Sequence, residues 1–340
     1  MKDEPEPHAI ETIAQLSNKQ RAEVFSETAA QLGLPEAAIE KDFWVCWALQ
    51  KIFNDPVLSQ QVLFKGGTTL SKCYNLIERF SEDLDLILDW ELITDDDPYA
   101  KRSNTKQDLF NKSIKSKTES YINNIMLDQI DKLVNTHCRL KINNDKLGSI
   151  MMSYPKAFDS EYIKPQIELE VGAMSAMIPK TKITIAPYCA SVTQSIAGNL
   201  DLTVNVIQAK KTFWDKVTIL HVEAYRPEPK TQPARYSRHY YDLYQMLNSA
   251  VKKEAMSDLK LLNDIVDFKA RFYPQGWAKY DLAKLGEYKL IPERFRVKQL
   301  KKDYTQMKEM IFGKYPLFDD ILSEIKQFES ELRAAHNQSK

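Results

Sequence analysis

The chain has 340 residues, 43 % of them hydrophobic, and its 47 basic and 47 acidic side chains cancel to a formal net charge of zero. That length allows two domains or one core with a helical extension, and the charge balance excludes a general polyanion binder, so nucleic-acid contact would need a local basic patch. There is no membrane-length apolar run, no apolar leader at the acidic N-terminus MKDEPEPHAIETIAQL, and no zinc spacing among Cys46, Cys73, Cys138 and Cys189, so a cytoplasmic protein with reduced, mostly buried thiols is expected.

After a polar start, Ile10 to Leu32 has helical periodicity and Gly33 is a natural stop. Pro35 opens a second helix, PEAAIEKDFWVCWALQKIF, with a broad apolar face. Within it Glu40-Lys41-Asp42 is either a charge cluster at the surface or a support for a site, through Lys41 or Asp42. Val62-Leu63-Phe64 then reads as a buried strand that stops at Lys65-Gly66-Gly67. Thr68 and Thr69 follow, and apolar residues at Leu70, Cys73, Tyr74 and Ile77 predict a helix. After Arg79-Phe80-Ser81 the period changes to two, with Asp83 and Asp85 on one face of a strand and Leu84, Leu86 and Leu88 on the other. Paired glycines at a helix start let backbone N–H groups approach an anion, and carboxylates at i and i+2 can share a hard divalent cation such as Mg²⁺. Together they point to phosphoryl or nucleotidyl transfer.

Gly66-Gly67 followed by Asp83-x-Asp85 resembles the nucleotidyltransferase signature of the polymerase-β-like superfamily, and the wording FKGGTTLSK…ERFSEDLDL is similar to the AbiEii/AbiGii toxin family, which includes MenT-like toxins. Many members have Gly-Ser where this chain has Gly66-Gly67, so a phosphate-binding hydroxyl would have to come from Thr68 or Thr69. The resemblance implies a Mg²⁺ site at Asp83 and Asp85, and a triphosphate cradle at Lys65, Gly66, Gly67 and Thr68.

Downstream, Asp95-Asp96-Asp97 reads as a solvated loop. Residues 100–136 read as helix, and Lys101, Arg102, Lys106, Lys112, Lys115 and Lys117 there suit either an RNA backbone or a solvated face. Strand periodicity runs from Cys138 to Gln208 in CRLKIN, SIMMSYP, PQIELEV, KITIAP and LTVNVIQ. In Gln166 to Val171 the apolar Ile167, Leu169 and Val171 alternate with Glu168 and Glu170. Polymerase-β-like enzymes use a third carboxylate on a neighbouring strand, and Glu170 is the candidate with Glu168 in reserve. Lys210 to Tyr225 is a helix, RPEPKTQPAR a linker, and RYSRHYYDLYQMLNSAVKK a further helix. By the family resemblance the helical lysine falls on Lys216 and the aspartate of the Arg-x-x-x-Asp-Leu segment on Asp242. Lys216 would neutralise triphosphate charge, and Asp242 would orient the lysine or the substrate. Arg-Asp is common in the family where this chain has Arg238-His239. His221 and His239 lack a third partner at ligand spacing and read as structural or supporting residues. The rest is helical, with Arg271-Phe272-Tyr273, Arg294-Phe295-Arg296 and Lys298 to Lys302 forming either an RNA surface or the charged rim of a packed domain.

The expected fold class is α/β (α+β): by resemblance, a mixed-sheet nucleotidyltransferase core over residues 1–208, then a C-terminal helical domain over 209–340 that closes the cleft. The implied function is a toxin of a toxin–antitoxin or abortive-infection system. It would transfer NMP from an NTP to an RNA hydroxyl, such as a tRNA 3′ end, with a cognate antitoxin that need not touch it. The rivals are a protein-modifying nucleotidyltransferase and a non-catalytic nucleotide or RNA binder. No motif selects the NTP.

Overall fold

A computed structural model describes residues 9–81, 83–160, 163–173 and 179–338. The N-terminal run forms two helices, α1 (Ala9–Gln15) and α2 (Asn18–Leu32), where periodicity alone predicts one. Ser17 is the cause: its hydroxyl accepts from the Gln20 N–H while the Gln20 side chain accepts from the Ser17 N–H, a capping box that starts a fresh helix. Gly33, at φ 66°, ends α2. Helix α3 (Glu36–Asn54) is buried on nearly every side, with Trp44 and Trp47 fully enclosed. A short α4 (Leu58–Gln61) feeds β1 (Val62–Lys65), and α5 (Gly67–Lys72) leads by an irregular segment to β2 (Asp83–Leu88).

Helix α5 is shorter than the sequence predicts. The chain turns at Asn75, in a left-handed conformation at φ 50°, and Leu76 N–H returns to the Leu70 carbonyl. The apolar spacing at Ile77 is satisfied instead by a second core, which Ile77 joins together with Leu70. Residues 100–136 give α6 (Asn104–Tyr121) and α7 (Leu127–Val134), joined by a π-helical turn at Ile122–Met126. The five expected strands are present as β3 (Arg139–Ile142), β4 (Ser149–Ser153), β5 (Gln166–Gly172), β6 (Lys180–Ile185) and β7 (Leu202–Ile207). A helix the periodicity did not predict, α8 (Ala190–Ala197), separates the last two.

The strands form one mixed sheet in the order β3-β4-β5-β2-β1-β7-β6. At its centre β2 runs antiparallel to β1 and parallel to β5. Helices α1 to α3 cover one face, where Trp44, Trp47, Leu84, Leu86, Leu169 and Val206 share a core. The remaining helices are α9 (Ala209–Ala224), α10 (Arg238–Leu247), α11 (Ala250–Met256), α12 (Leu259–Phe272), α13 (Tyr280–Lys284), α14 (Arg294–Gln306) and α15 (Phe318–Gln338). They build the second core around Phe213, Trp214, Tyr240, Leu243, Tyr304 and Phe328. The two cores interlock: Phe268 and Phe272 of α12 pack into the first, and Leu70 and Ile77 into the second. All four cysteines are free thiols, three of them buried. Among the described residues no helix is long and apolar enough to cross a membrane.

The Glu40-Lys41-Asp42 cluster lies inside the molecule. Glu40 accepts from the Ala157 and Phe158 N–H groups, and Asp42 accepts from the Tyr188 N–H. Asp42 also pairs with Lys72 at the end of α5 at 2.7 Å, and the Lys72 ammonium lies 3.8 Å from the centre of the Tyr188 ring. Asp42 thus fixes the helix that follows the glycine turn. Asp42→Ala would leave Lys72 as a buried, unpaired cation, so urea denaturation should show a loss of about 3–5 kcal/mol.

Candidate active site

The glycine turn is shaped by what stands behind it. Gly66 has φ 90°, and a Cβ there would lie 1.8 Å from Asp85 Oδ2. A Cβ on Gly67 would lie 2.8 Å from both Arg79 Nη2 and Ser81 Oγ. The turn has no side chains because Asp85, Arg79 and Ser81 occupy that space. The threonine hydroxyls are directed elsewhere: Thr68 Oγ1 donates to the Asp83 carbonyl at 2.6 Å and Thr69 Oγ1 to the Gly66 carbonyl at 2.8 Å. Neither hydroxyl proton is therefore directed into the cleft in this structure. The hydroxyl at the turn is that of Ser81, which lines the cleft.

Strand β2 presents Asp83 and Asp85 on one face, and the parallel β5 places Glu168 opposite Asp83 and Glu170 opposite Asp85. Burial raises the Asp83 carboxyl, and the neighbouring Asp85, Glu170 and Glu168 push it further, to about 6. Lys146, from the β3–β4 connection, donates to Glu170 and lies 3.1 Å from Glu168. Glu168 also accepts from Ser149 Oγ at 2.6 Å. Burial opposes its ionisation, but these hydrogen bonds prevail and hold its carboxyl below the usual range. Among the described residues no three His, Cys, Asp or Glu side chains stand together as a preformed metal cage. The donor set nevertheless fits a hard divalent cation that also takes substrate oxygens: hard oxygen ligands, crowded enough that one resists ionisation.

The opposite wall comes from the helical half. Asp242 on α10 is fully buried and accepts from Arg79 Nε at 2.7 Å and Nη2 at 2.9 Å, and from Lys216 Nζ at 2.7 Å. Burial alone would raise the Asp242 carboxyl, but the guanidinium and the ammonium outweigh it and hold it far below the usual range. Lys216 also contacts His239 Nδ1 at 3.0 Å. Burial and the adjacent cations keep His239 neutral, so its Nδ1 accepts from the ammonium. The structure thus brings Lys216, Asp242 and His239 together with Arg79. His221 lies apart: its Nδ1 accepts from the Lys289 N–H and its Nε2 donates to the Lys279 carbonyl.

These elements enclose a cleft of about 410 Å³ lined by Lys65, Gly66, Gly67, Arg79, Asp83, Asp85, Glu170 and Lys216. The same cleft holds residues that sequence reading missed: Lys211, Asp215 and Lys269. The Lys211…Asp215 spacing on one helix was a weak signal, and Lys269 gave none, being brought in by the folding of α12 onto α9. Some suggested RNA-facing cations have structural roles instead. Arg102 donates to the Asp97, Pro98 and Ala100 carbonyls, and buried Arg296 donates to those of Pro227 and Lys230.

A glycine turn against two strand carboxylates at the centre of a mixed sheet, facing cationic helices, is the layout of a nucleotidyltransferase. The family model for the nucleotidyl transferase AbiEii toxin, type IV toxin–antitoxin system, matches residues 47–324, and the chain belongs to that family. Among solved structures it is similar to MenT4, a nucleotidyltransferase toxin of Mycobacterium tuberculosis H37Rv, at 13 % identity and TM-score 0.42 over 95 % of this chain and 98 % of that one. It is also similar to a nucleotidyltransferase-like structure from H. pylori, at 14 % identity and TM-score 0.43 over 90 % of this chain and 99 % of that one. A third likeness is JHP933 from Helicobacter pylori, at 15 % identity and TM-score 0.36 over 88 % and 98 %. No curated protein matches the sequence.

Gly66→Ala should destabilise the protein by about 1–3 kcal/mol from backbone strain alone and displace Asp85, which a denaturation midpoint and an activity assay would both register. Asp83 gives a signed pH test. Its folded pKa lies above the unfolded value, so ionising it costs native stability as pH rises from about 4 through 6. In metal-free protein Asp83→Asn should therefore be more stable than wild type above pH 6, by about 3 kcal/mol, and the gain should vanish below about pH 4.

Proposed function

We propose that this protein is a Mg²⁺-dependent toxin that transfers NMP from an NTP to an RNA hydroxyl, with a tRNA 3′ end as acceptor. The observation that carries the reading is the interlock of Gly66 with Asp85, which sets the backbone turn directly against the carboxylate that would bind the metal. Asp83 and Asp85 would hold the metal, with Glu170 across the strand pair. When bound, the metal neutralises charge on the α-phosphate and eases ionisation of the attacking hydroxyl. Lys65 and the Gly66-Gly67-Thr68 backbone hold the triphosphate, and Lys216, positioned by Asp242, adds positive charge from the facing wall.

Glu170 takes the proton of the acceptor hydroxyl. The new bond joins that oxygen to the α-phosphorus, the bond to the β-phosphate oxygen breaks, and pyrophosphate leaves. Residues 1–208 act as the catalytic core and 209–340 as the helical domain that closes the cleft. An RNA acceptor is favoured by the cleft-lining Arg226, which lies 4.9 Å from the centre of the Trp277 ring, and by Lys230, 5.5 Å from the same ring. Cations beside an aromatic face suit a single-stranded end. The protein acts in the cytoplasm, with a cognate antitoxin that need not touch it.

The test is incubation with each NTP labelled at the α-phosphate, Mg²⁺ and total cellular RNA, beside an Asp83→Asn/Asp85→Asn variant. Label in RNA with wild type alone is the expected result. Label in protein would establish a protein-modifying enzyme instead, and equal label with the variant would remove the aspartates from the mechanism.

A further inference from the structure

The cleft carries two lysines, Lys211 and Lys269, that the proposed mechanism leaves without a role, beside Lys65, which it assigns to the triphosphate. Lys211 Nζ pairs with Asp215 Oδ2 at 2.6 Å on α9. Lys269, from α12, approaches the same carboxylate at 3.5 Å and donates to the Asp215 carbonyl and to Thr218 Oγ1. Lys65, at the foot of the glycine turn, is close enough for its charge to act on both Asp215 and Lys269. Among the described residues Lys65 makes no ion pair. Three lysines against one aspartate leave a surplus of positive charge, all of it lining the cleft that holds Gly66 and Gly67. Burial, with Lys211 and Lys65 close by, lowers Lys269 to about 8 even though Asp215 opposes the shift.

Lys216 is poorly placed to serve the terminal phosphates alone. Two of its three N–H donors are committed to Asp242 and His239, and Asp242 offsets its charge. Lys211 has one such commitment, and Lys269 helps to neutralise the carboxylate that holds it.

We propose that Lys65, Lys211 and Lys269 form the seat of the pyrophosphate leaving group, with Lys65 and Lys211 donating to its oxygens and Lys269 supplying the balancing charge around Asp215. The seat rests on the nucleotidyl-transfer reading and adds to it the side chains that take the two terminal phosphates. Because Lys65 belongs to the sheet and Lys211 and Lys269 to the helical half, bound pyrophosphate would join the two walls of the cleft.

The experiment is calorimetric titration of the full chain with inorganic pyrophosphate in Mg²⁺ buffer, and in parallel with AMP, CMP, GMP and UMP. Lys211→Met and Lys269→Met should each weaken pyrophosphate binding at least about tenfold, as loss of a charged contact does. Their affinity for whichever monophosphate binds should stay unchanged, because a monophosphate lacks the leaving group. Asp215→Asn should tighten pyrophosphate binding, since it removes a competing carboxylate, whereas a merely structural role for Asp215 predicts weaker binding. Thermal melting identifies any variant that fails to fold, and the Asp215→Asn sign then decides. Wild type that does not bind pyrophosphate, lysine variants that bind it normally, or equal loss of pyrophosphate and monophosphate would overturn the seat. Nucleotidyl transfer is assayed separately. The pattern without transfer keeps the seat and removes the reaction, and transfer without the pattern removes only the seat.

Discussion

The ion pairs of Arg79 and Lys216 with Asp242 are the constraint on which the rest of the site depends. Arg79 comes from the segment between the glycine turn and β2, Lys216 from α9 and Asp242 from α10, so three distant stretches meet at one carboxylate. All three side chains are nearly inaccessible to water. Burying such charges is costly, and the arrangement survives only because each finds good hydrogen-bond geometry. The segment carrying Arg79 is held from a second direction as well. Phe80 N–H donates to the Met310 carbonyl, and Arg79 forms a bridge with Ile311. The segment that leads into β2 is therefore tied to the helical half.

From that tie the geometry of the cleft follows. Arg79 fills the space where a side chain at Gly67 would lie, and Asp85 fills the space beside Gly66. Turn, aspartate pair and buried ion pairs fit as one unit, and moving any of them disturbs the others. The charged groups that line the cleft are divided by sign. Carboxylates of β2 and β5 make the sheet side acidic, tempered by Lys146 and Lys65, and lysines of α9 and α12 make the helical side basic. A metal-bound polyphosphate, as proposed, would match both sides at once, its cation toward the acids and its anion toward the lysines. A chain with no net charge builds this field by sorting its charges across the cleft, which composition cannot show.

Local patterns carried much of this to the sequence level. Alternation at Leu84, Leu86 and Leu88 against Asp83 and Asp85 gives the face of β2, and Glu168 and Glu170 alternate in the same way on β5. That the two strands are parallel neighbours in register is a long-range fact, and with it came the pairing of Asp83 with Glu168 and Asp85 with Glu170. Periodicity also misled where another interaction overrode it. Ser17 divided one apparent helix through its cap, and Ile77, at helical spacing from Leu70, reached the same core along a different backbone path.

The sequence by itself determined the strand–turn–strand unit, the aspartates it presents and the family to which they belong, because these rest on spacing within a few residues. Tertiary structure alone decided why the glycines must be glycines, which hydroxyl faces the cleft and which cations meet buried partners. Those answers depend on side chains such as Arg79 and Asp242, 163 residues apart. Their charges are legible singly in a sequence, but whether a lysine is spent on a buried partner or left for a phosphate is fixed only when distant elements pack.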